Sequence, residues 1–201
     1  MSEIRVVKKF VSPSQLNILN EWSIKNYKSD FFKSIYMYHS VHRDKTVKDT
    51  HFSTRLCTAR NKDHLFEYPE ECYLIQDRLK NKFKLDKVAP IGKNGIVTGV
   101  GIHGDVICEH RDPQWEEGRF TIHFNLLSQK PLSGGITIVD NCSYNIDVGD
   151  MLIYNVQSLK HRVTQVKGDV KRIMWVFGFC VTSEQLKIIF DFFNMKRWLN
   201  L

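Results

Sequence analysis

The sequence predicts a mainly β domain with flanking α-helices, its strands folded into a sandwich or barrel. Three observations point there. Capped, amphipathic segments begin near residues 12 and 69. From about residue 88 the chain changes to short runs rich in β-branched and aromatic residues, broken by clusters of Gly, Pro, Asn and Asp. That is the pattern of closely spaced strands. A further capped segment then closes the chain. With 201 residues, 42% hydrophobic and 25% charged, the whole fits one globular domain with a sizeable core.

In "SPSQLNILNEWSIKNY", Ser12 is an N-cap, Pro13 occupies the first helical position, and Gln15 closes a capping box. Leu16, Leu19 and Trp22 recur at helical spacing, so a helix is expected over roughly 13–28. "YPEECYLIQDRLKNKF" repeats the signal, with Pro69 at the start and Cys72, Ile75, Leu79 and Phe83 on one face. Strands are expected at 96–101, 105–110, 119–127, 135–140, 150–155, 161–166 and 170–180. "VTSEQLKIIFDFFNMKRWL" reads as a helix capped by Thr182, with Gln185 completing its box. The expected organisation is a single domain over 1–201, divided into a helical support region (1–87), a β core (88–180) and a C-terminal helix (181–201).

Composition narrows the function classes. No apolar run approaches the roughly 18 residues of a membrane helix. The opening "MSEIRVVKKF" lacks the apolar region of a signal peptide. The cysteines at 57, 72, 108, 142 and 180 are scattered and never in C-x-x-C, which suits reduced thiols in a cytoplasmic protein. The net charge is +7, all of it in the first half. Residues 1–100 carry 18 Lys and Arg against 11 Asp and Glu; residues 101–201 carry 11 of each. A basic half can attract nucleic acid or acidic peptides, but no dense basic block or basic-aromatic repeat appears. A solvated surface is therefore the favoured reading.

The tripeptide His-Arg-Asp occurs twice, at 42–44 and 110–112. In a chain with 8 His the tripeptide alone carries little weight, and the flanks decide. The first copy lies in polar sequence between helical segments and reads as an exposed loop. A kinase catalytic loop needs Asn five positions past the Asp; here Asp49 and Glu117 stand there. The second copy ends the apolar strand "DVICEH". Residues i and i+2 of a strand share a face, so His110 and Asp112 can aim an imidazole and a carboxylate at one point. A catalytic metal needs a third ligand, and His123 and His161 are the downstream candidates. Two His and one carboxylate, with the opposite positions open, form the facial triad of non-haem Fe(II) oxygenases.

His110-x-Asp112, the strand "RFTIHFNLL", Gly134-Gly135-Ile136, His161-x-Val163-x-x-Val166 and Lys171-Arg172 follow one another in fixed order. In that order and spacing, residues 99–180 resemble the catalytic core of the Fe(II)/2-oxoglutarate-dependent dioxygenases, in particular the prolyl-hydroxylase-like branch. The first hundred residues match no family. The resemblance implies a double-stranded β-helix (jelly-roll) core, with the first-half helices packed on one sheet. It implies His110, Asp112 and His161 as iron ligands, with His161 preferred over His123 for its flanks. Its cofactors would be Fe(II), 2-oxoglutarate as cosubstrate and O₂, with ascorbate as an optional stimulant.

The resemblance also implies a cation for the far carboxylate of 2-oxoglutarate. Arg172 is favoured over Lys171, and a one-residue slip of the hairpin expected at Lys167-Gly168-Asp169 would exchange them. On "RFTIHFNLL", Arg119, Thr121, His123 and Asn125 alternate with Phe120, Ile122, Phe124 and Leu126. The polar set is expected to face a polar lumen, with Asn125, Thr121 and His123 near the cosubstrate. A hydrogen-bonded core histidine is an equal reading for His123. His103 stands where relatives often carry Tyr, a departure that leaves its cosubstrate role open. Trp115, Glu116 and Glu117 lie in a loop that commonly borders the substrate mouth, and Trp115 is equally a packing residue. Gly134 and Gly135 serve backbone geometry.

Halogenating relatives have a small residue in place of Asp112, so the carboxylate favours hydroxylation, with release of succinate and CO₂. The expected substrate is a peptide side chain or small metabolite. The same chemistry on a nucleic-acid base is an alternative suggested only by the basic half, and it lacks the second Arg of the DNA-repair dealkylases. A non-catalytic binding module that kept the fold is the third reading. A cupin would use more His ligands. No membrane partner is expected.

Overall fold

The computed structural model describes residues 4–29, 32–34, 55–57 and 67–198, with backbone alone at 32–34, 55–57 and 192–198. The first His-Arg-Asp copy, at 42–44, lies outside the described residues.

Among the described residues, three helices and thirteen strands follow one another as β1 (Ile4–Val7), α1 (Pro13–Asn26), β2 (Phe32–Ser34), β3 (Arg55–Cys57), α2 (Glu70–Phe83), β4 (Ile96–Gly101), β5 (Ile107–His110), β6 (Phe120–Gln129), β7 (Ser133–Gly134), β8 (Thr137–Val139), β9 (Cys142–Tyr144), β10 (Met151–Asn155), β11 (His161–Val163), β12 (Val166–Lys167), β13 (Arg172–Val181) and α3 (Ser183–Trp198). Every pairing is antiparallel. The major sheet has the order β1-β10-β6-β13-β4-β3-β2; the minor sheet has the order β5-β11-β8-β9; β12 and β7 form a separate ribbon. The result is a double-stranded β-helix, mainly β with flanking helices.

Period-2 alternation builds the major sheet. Ile122, Phe124 and Leu126 of β6, and Ile173, Trp175, Phe177 and Phe179 of β13, face outward into one apolar cluster. The helices cover that face with the residues their periodicity selects: Leu16 and Leu19 of α1, Cys72, Ile75, Leu79 and Phe83 of α2, Ile189 and Phe190 of α3. Aromatic rings fix the seam. Trp22 and Tyr68 sit 5.6 and 5.4 Å from Trp175, and Phe83 and Phe179 each sit 5.6 Å from Phe124. The capping boxes form as expected, Ser12 with Gln15 and Thr182 with Gln185. The opposite face of the sheet is left for the interior of the barrel.

Several expectations change. The support region is not purely helical, because β1, β2 and β3 extend the major sheet on both edges. These strands have three or four residues and take their conformation from the neighbouring ladder, leaving little pattern in the sequence. The 135–140 run is shorter and hairpins onto β9 through Asp140 and Asn141, both at positive φ (47° and 65°). The 161–166 run breaks into β11 and β12. Lys167-Gly168-Asp169 turns the chain but makes no hairpin: β12 pairs with β7, whereas β13 pairs with β4 and β6.

Cys72, Cys108, Cys142 and Cys180 are free thiols. Among the described residues no helix is long and apolar enough to cross a membrane.

Candidate metal centre

The minor sheet positions two imidazoles. His110 ends β5 and His161 begins β11, and the antiparallel register sets them directly opposite each other. Their rings lie 4.1 Å apart, centroid to centroid. Two residues past His110, the Asp112 amide donates to the Val156 carbonyl at 3.0 Å, which fixes where the carboxylate starts. Asp112 Oδ1 lies 3.6 Å from His110 Nε2. One ligand atom each from His110, Asp112 and His161 falls within 4.8 Å of the others.

Backbone carbonyls orient both rings. His110 Nδ1 lies 2.8 Å from the Cys108 carbonyl and His161 Nδ1 lies 3.2 Å from the Leu159 carbonyl. A carbonyl only accepts, so each Nδ1 carries the proton and each Nε2 keeps a lone pair for a ligand. Burial, then the adjacent His110, pushes the His161 pKa down to about 4. His161 is therefore neutral at pH 7, as metal binding requires. Two imidazoles and a carboxylate suit Fe(II), so the donor set fits the metal that the sequence implies.

A cavity of about 220 Å³ joins these three residues to Arg172. Arg172 begins β13 opposite Gly101 of β4, and that register turns it inward. It is 5% exposed. Its Nε donates to the Gly135 carbonyl at 2.8 Å and an Nη to Thr137 Oγ1 at 3.1 Å. Burial lowers its pKa to about 10, still a cation at pH 7, and among the described residues no carboxylate pairs with it. The two glycines make room. Gly134 and Gly135 have φ of 69° and 62°. A Cβ on Gly135 would stand 2.8 Å from Arg172 Cδ, and one on Gly134 would overlap the Gln165 carbonyl oxygen.

The other expected residues separate. Asn125 lines the cavity and donates its amide to the Leu152 carbonyl at 3.2 Å. His123 also lines it, with Nδ1 3.4 Å from Asp112 Oδ2. His123 belongs with the triad but outside the three-ligand cluster; burial lowers its pKa. Lys171 points the other way, its ammonium 5.1 Å from the centre of the Tyr27 ring. Thr121 does not line the cavity; its hydroxyl reaches the Pro113 carbonyl at 3.4 Å. His103 is exposed and its Nδ1 accepts from the Gly168 amide at 3.1 Å, which ties it to a turn and away from the cavity. Arg119 leaves the polar row as well, making two 3.0 Å contacts with the Asp86 carboxylate outside the barrel. Trp115 borders the cavity and is 43% exposed. Glu116 pairs with Lys87 at 2.7 Å, and Glu117 is exposed.

Sequence reasoning missed two residues. Thr137 holds Arg172, and Tyr154 lines the cavity, buried, with its ring 5.2 Å from that of His161. Burial and the nearby Asp112 raise the Tyr154 pKa, keeping the phenol protonated and able to donate. The signal was present in "MLIYN": alternation puts Leu152 and Tyr154 on the face opposite Met151 and Ile153.

No family model matches the chain, and no curated protein matches its sequence. The fold does match solved structures. A prolyl-4-hydroxylase from Pseudomonas putida is similar with a TM-score of 0.60 and 10% identity, over 90% of this chain and 92% of that one. A viral collagen prolyl hydroxylase from Paramecium bursaria Chlorella virus-1, solved with 2-oxoglutarate, gives 0.59 and 12%, over 90% and 97%. A Trichoplax adhaerens prolyl hydroxylase, solved with a hypoxia-inducible-factor peptide, gives 0.63 and 12%, over 94% and 87%. The chain thus has the fold of the prolyl-hydroxylase-like branch of the Fe(II)/2-oxoglutarate dioxygenases. At this identity the likeness speaks for the fold, and the site has to speak for the function.

Proposed function

We propose that the chain is a non-haem Fe(II)- and 2-oxoglutarate-dependent dioxygenase that hydroxylates an unactivated C–H bond of a peptide side chain or small metabolite. One observation carries the reading: a single cavity is lined both by a His-Asp-His cluster and by a buried guanidinium that has no carboxylate partner among the described residues. A buried cation calls for an anion. A dicarboxylate cosubstrate that reaches the cluster supplies it.

Iron(II), with 2-oxoglutarate and O₂, supplies oxidative decarboxylation, giving succinate and CO₂ and inserting oxygen into the C–H bond. His110, Asp112 and His161 would hold the metal. Arg172 binds the far carboxylate of 2-oxoglutarate, a planar fork against a planar acceptor. Gly135 and Thr137 hold that fork, leaving its remaining N–H groups for the ligand. Tyr154 and Asn125 add polar contacts along the same wall. Ile91, Val97, Trp115 and Val176 also line the cavity. They offer apolar contact to an aliphatic group.

The same lining bears on the substrate class. A flipped nucleobase is read by several hydrogen bonds to its Watson–Crick edge, whereas these four side chains offer only the indole N–H, beside the single acceptor of His123 Nε2. A peptide or small apolar substrate fits better, and the Trichoplax relative was solved with a peptide. The test is 2-oxoglutarate turnover with Fe(II) against pooled peptides, metabolites and oligonucleotides. Succinate formed above background with a peptide or metabolite pool supports the reading. Stimulation by oligonucleotides alone refutes the substrate class, and no turnover with any pool refutes the activity.

A further inference from the structure

We propose that His123 is a positioning residue that fixes the Asp112 carboxylate for one-oxygen metal binding, and that it does not bind the cosubstrate. The inference rests on the reading of the triad as a metal centre. The two oxygens of Asp112 face different partners. Oδ1 lies 3.6 Å from His110 Nε2, on the side of the other ligand atoms, whereas Oδ2 lies 3.4 Å from His123 Nδ1. A carboxylate oxygen only accepts, so the nitrogen facing it carries the ring proton. The contact is a few tenths of an ångström longer than a good N–H···O bond of about 3 Å.

The tautomer has a consequence. With the proton on Nδ1, Nε2 is an acceptor, and it is buried with no hydrogen-bond partner among the described residues. 2-Oxoglutarate presents two carboxylates and a keto oxygen, all acceptors. It has nothing to give Nε2; a water molecule or a substrate N–H has. His123 therefore leaves the cosubstrate-binding set in which the sequence placed it.

The ring is also built into place. Its neighbours across the ladders are Tyr154 of β10 and Gly178 of β13. Gly178 carries no side chain, and the space its Cβ would take is filled by Ile91 and Ala89. His123 is 8% exposed. With both flanks occupied, the imidazole has little freedom to turn away from Asp112. Groups that orient metal-binding carboxylates typically change metal affinity 10–100-fold when removed.

The experiment compares Mn(II) binding, by electron paramagnetic resonance, in the unaltered protein and in His123→Asn, His123→Gln and His123→Leu. An Asn amide nitrogen sits where Nδ1 was; a Gln amide nitrogen sits where Nε2 was. Binding should weaken roughly tenfold or more in His123→Gln and His123→Leu, and stay within about threefold in His123→Asn. The visible d–d bands of the Co(II) protein should shift in His123→Gln and hold in His123→Asn. If His123→Leu fails to fold, the Asn–Gln comparison still decides. Equal binding in Asn and Gln variants, whether both strong or both weak, overturns the inference while leaving the metal centre intact. An unaltered protein that takes up no Mn(II) overturns the metal-centre reading and this inference together.

Discussion

Arg172→Ala separates the cosubstrate site from the metal site. The guanidinium is 5% exposed, is held by Gly135 and Thr137 at 2.8 and 3.1 Å, and has no carboxylate partner among the described residues. When 2-oxoglutarate binds, its far carboxylate leaves water for this pocket, and the guanidinium is what offsets the desolvation. Removing one partner of a buried, hydrogen-bonded charge pair costs about 2–5 kcal/mol. At about 1.4 kcal/mol per decade, the 2-oxoglutarate requirement should rise roughly 30- to 4,000-fold. Succinate release against 2-oxoglutarate concentration measures this, and Mn(II) affinity, measured alongside, should stay near its original value. Lys171→Ala should change the requirement less than about twofold, because that ammonium lies over the Tyr27 ring, away from the cavity, at a half-buried cation–π contact worth about 1 kcal/mol. A large rise in Lys171→Ala with a small one in Arg172→Ala would refute the assignment.

Gly135→Ala should imitate a mild Arg172 variant. Its Cβ would meet Arg172 Cδ at 2.8 Å and Pro131 Cγ at 2.9 Å, so the fork must shift, and the 2-oxoglutarate requirement should rise roughly tenfold or more with metal affinity unchanged. Phe83→Ala removes a ring that is 1% exposed and 5.6 Å from Phe124; denaturant unfolding should show a loss of about 3–5 kcal/mol. Oligonucleotide binding between low and physiological salt should be weak and show no steep slope, since the 18 basic residues of the first half are interspersed with 11 acids. A slope implying several phosphate contacts would promote the nucleic-acid reading.

How far the sequence could be read depends on the range of the contacts involved. The helices and their caps are local, and Ser12–Gln15 and Thr182–Gln185 form as their spacing suggests. Alternation in β6 sorted Ile122, Phe124 and Leu126 from His123 and Asn125, because a ten-residue strand with one apolar face under the helices and one face on the cavity repeats strictly. It misled at the strand's start, where Arg119 and Thr121 turn to Asp86 and the Pro113 carbonyl. The choice between Arg172 and Lys171 was open because it depends on pairing with β4 and on Tyr27 at the C-cap of α1, both far away in the chain. His103 was drawn toward the site by its distance from His110, yet a turn at Gly168 claims it. Tyr154 showed the right alternation, but only the β10–β6 register sets it opposite His123. Strands β1–β3 left no periodic trace, because three or four residues are too few for alternation to stand out.

Metal binding by the cluster is tested most directly by anaerobic Fe(II) titration of the unaltered protein, Asp112→Ala and His161→Ala. The expected result is one Fe(II) per chain in the unaltered protein and loss of that site in both variants, with all three folded alike by circular dichroism. Unchanged Fe(II) affinity in both variants would contradict it and place the ligands elsewhere.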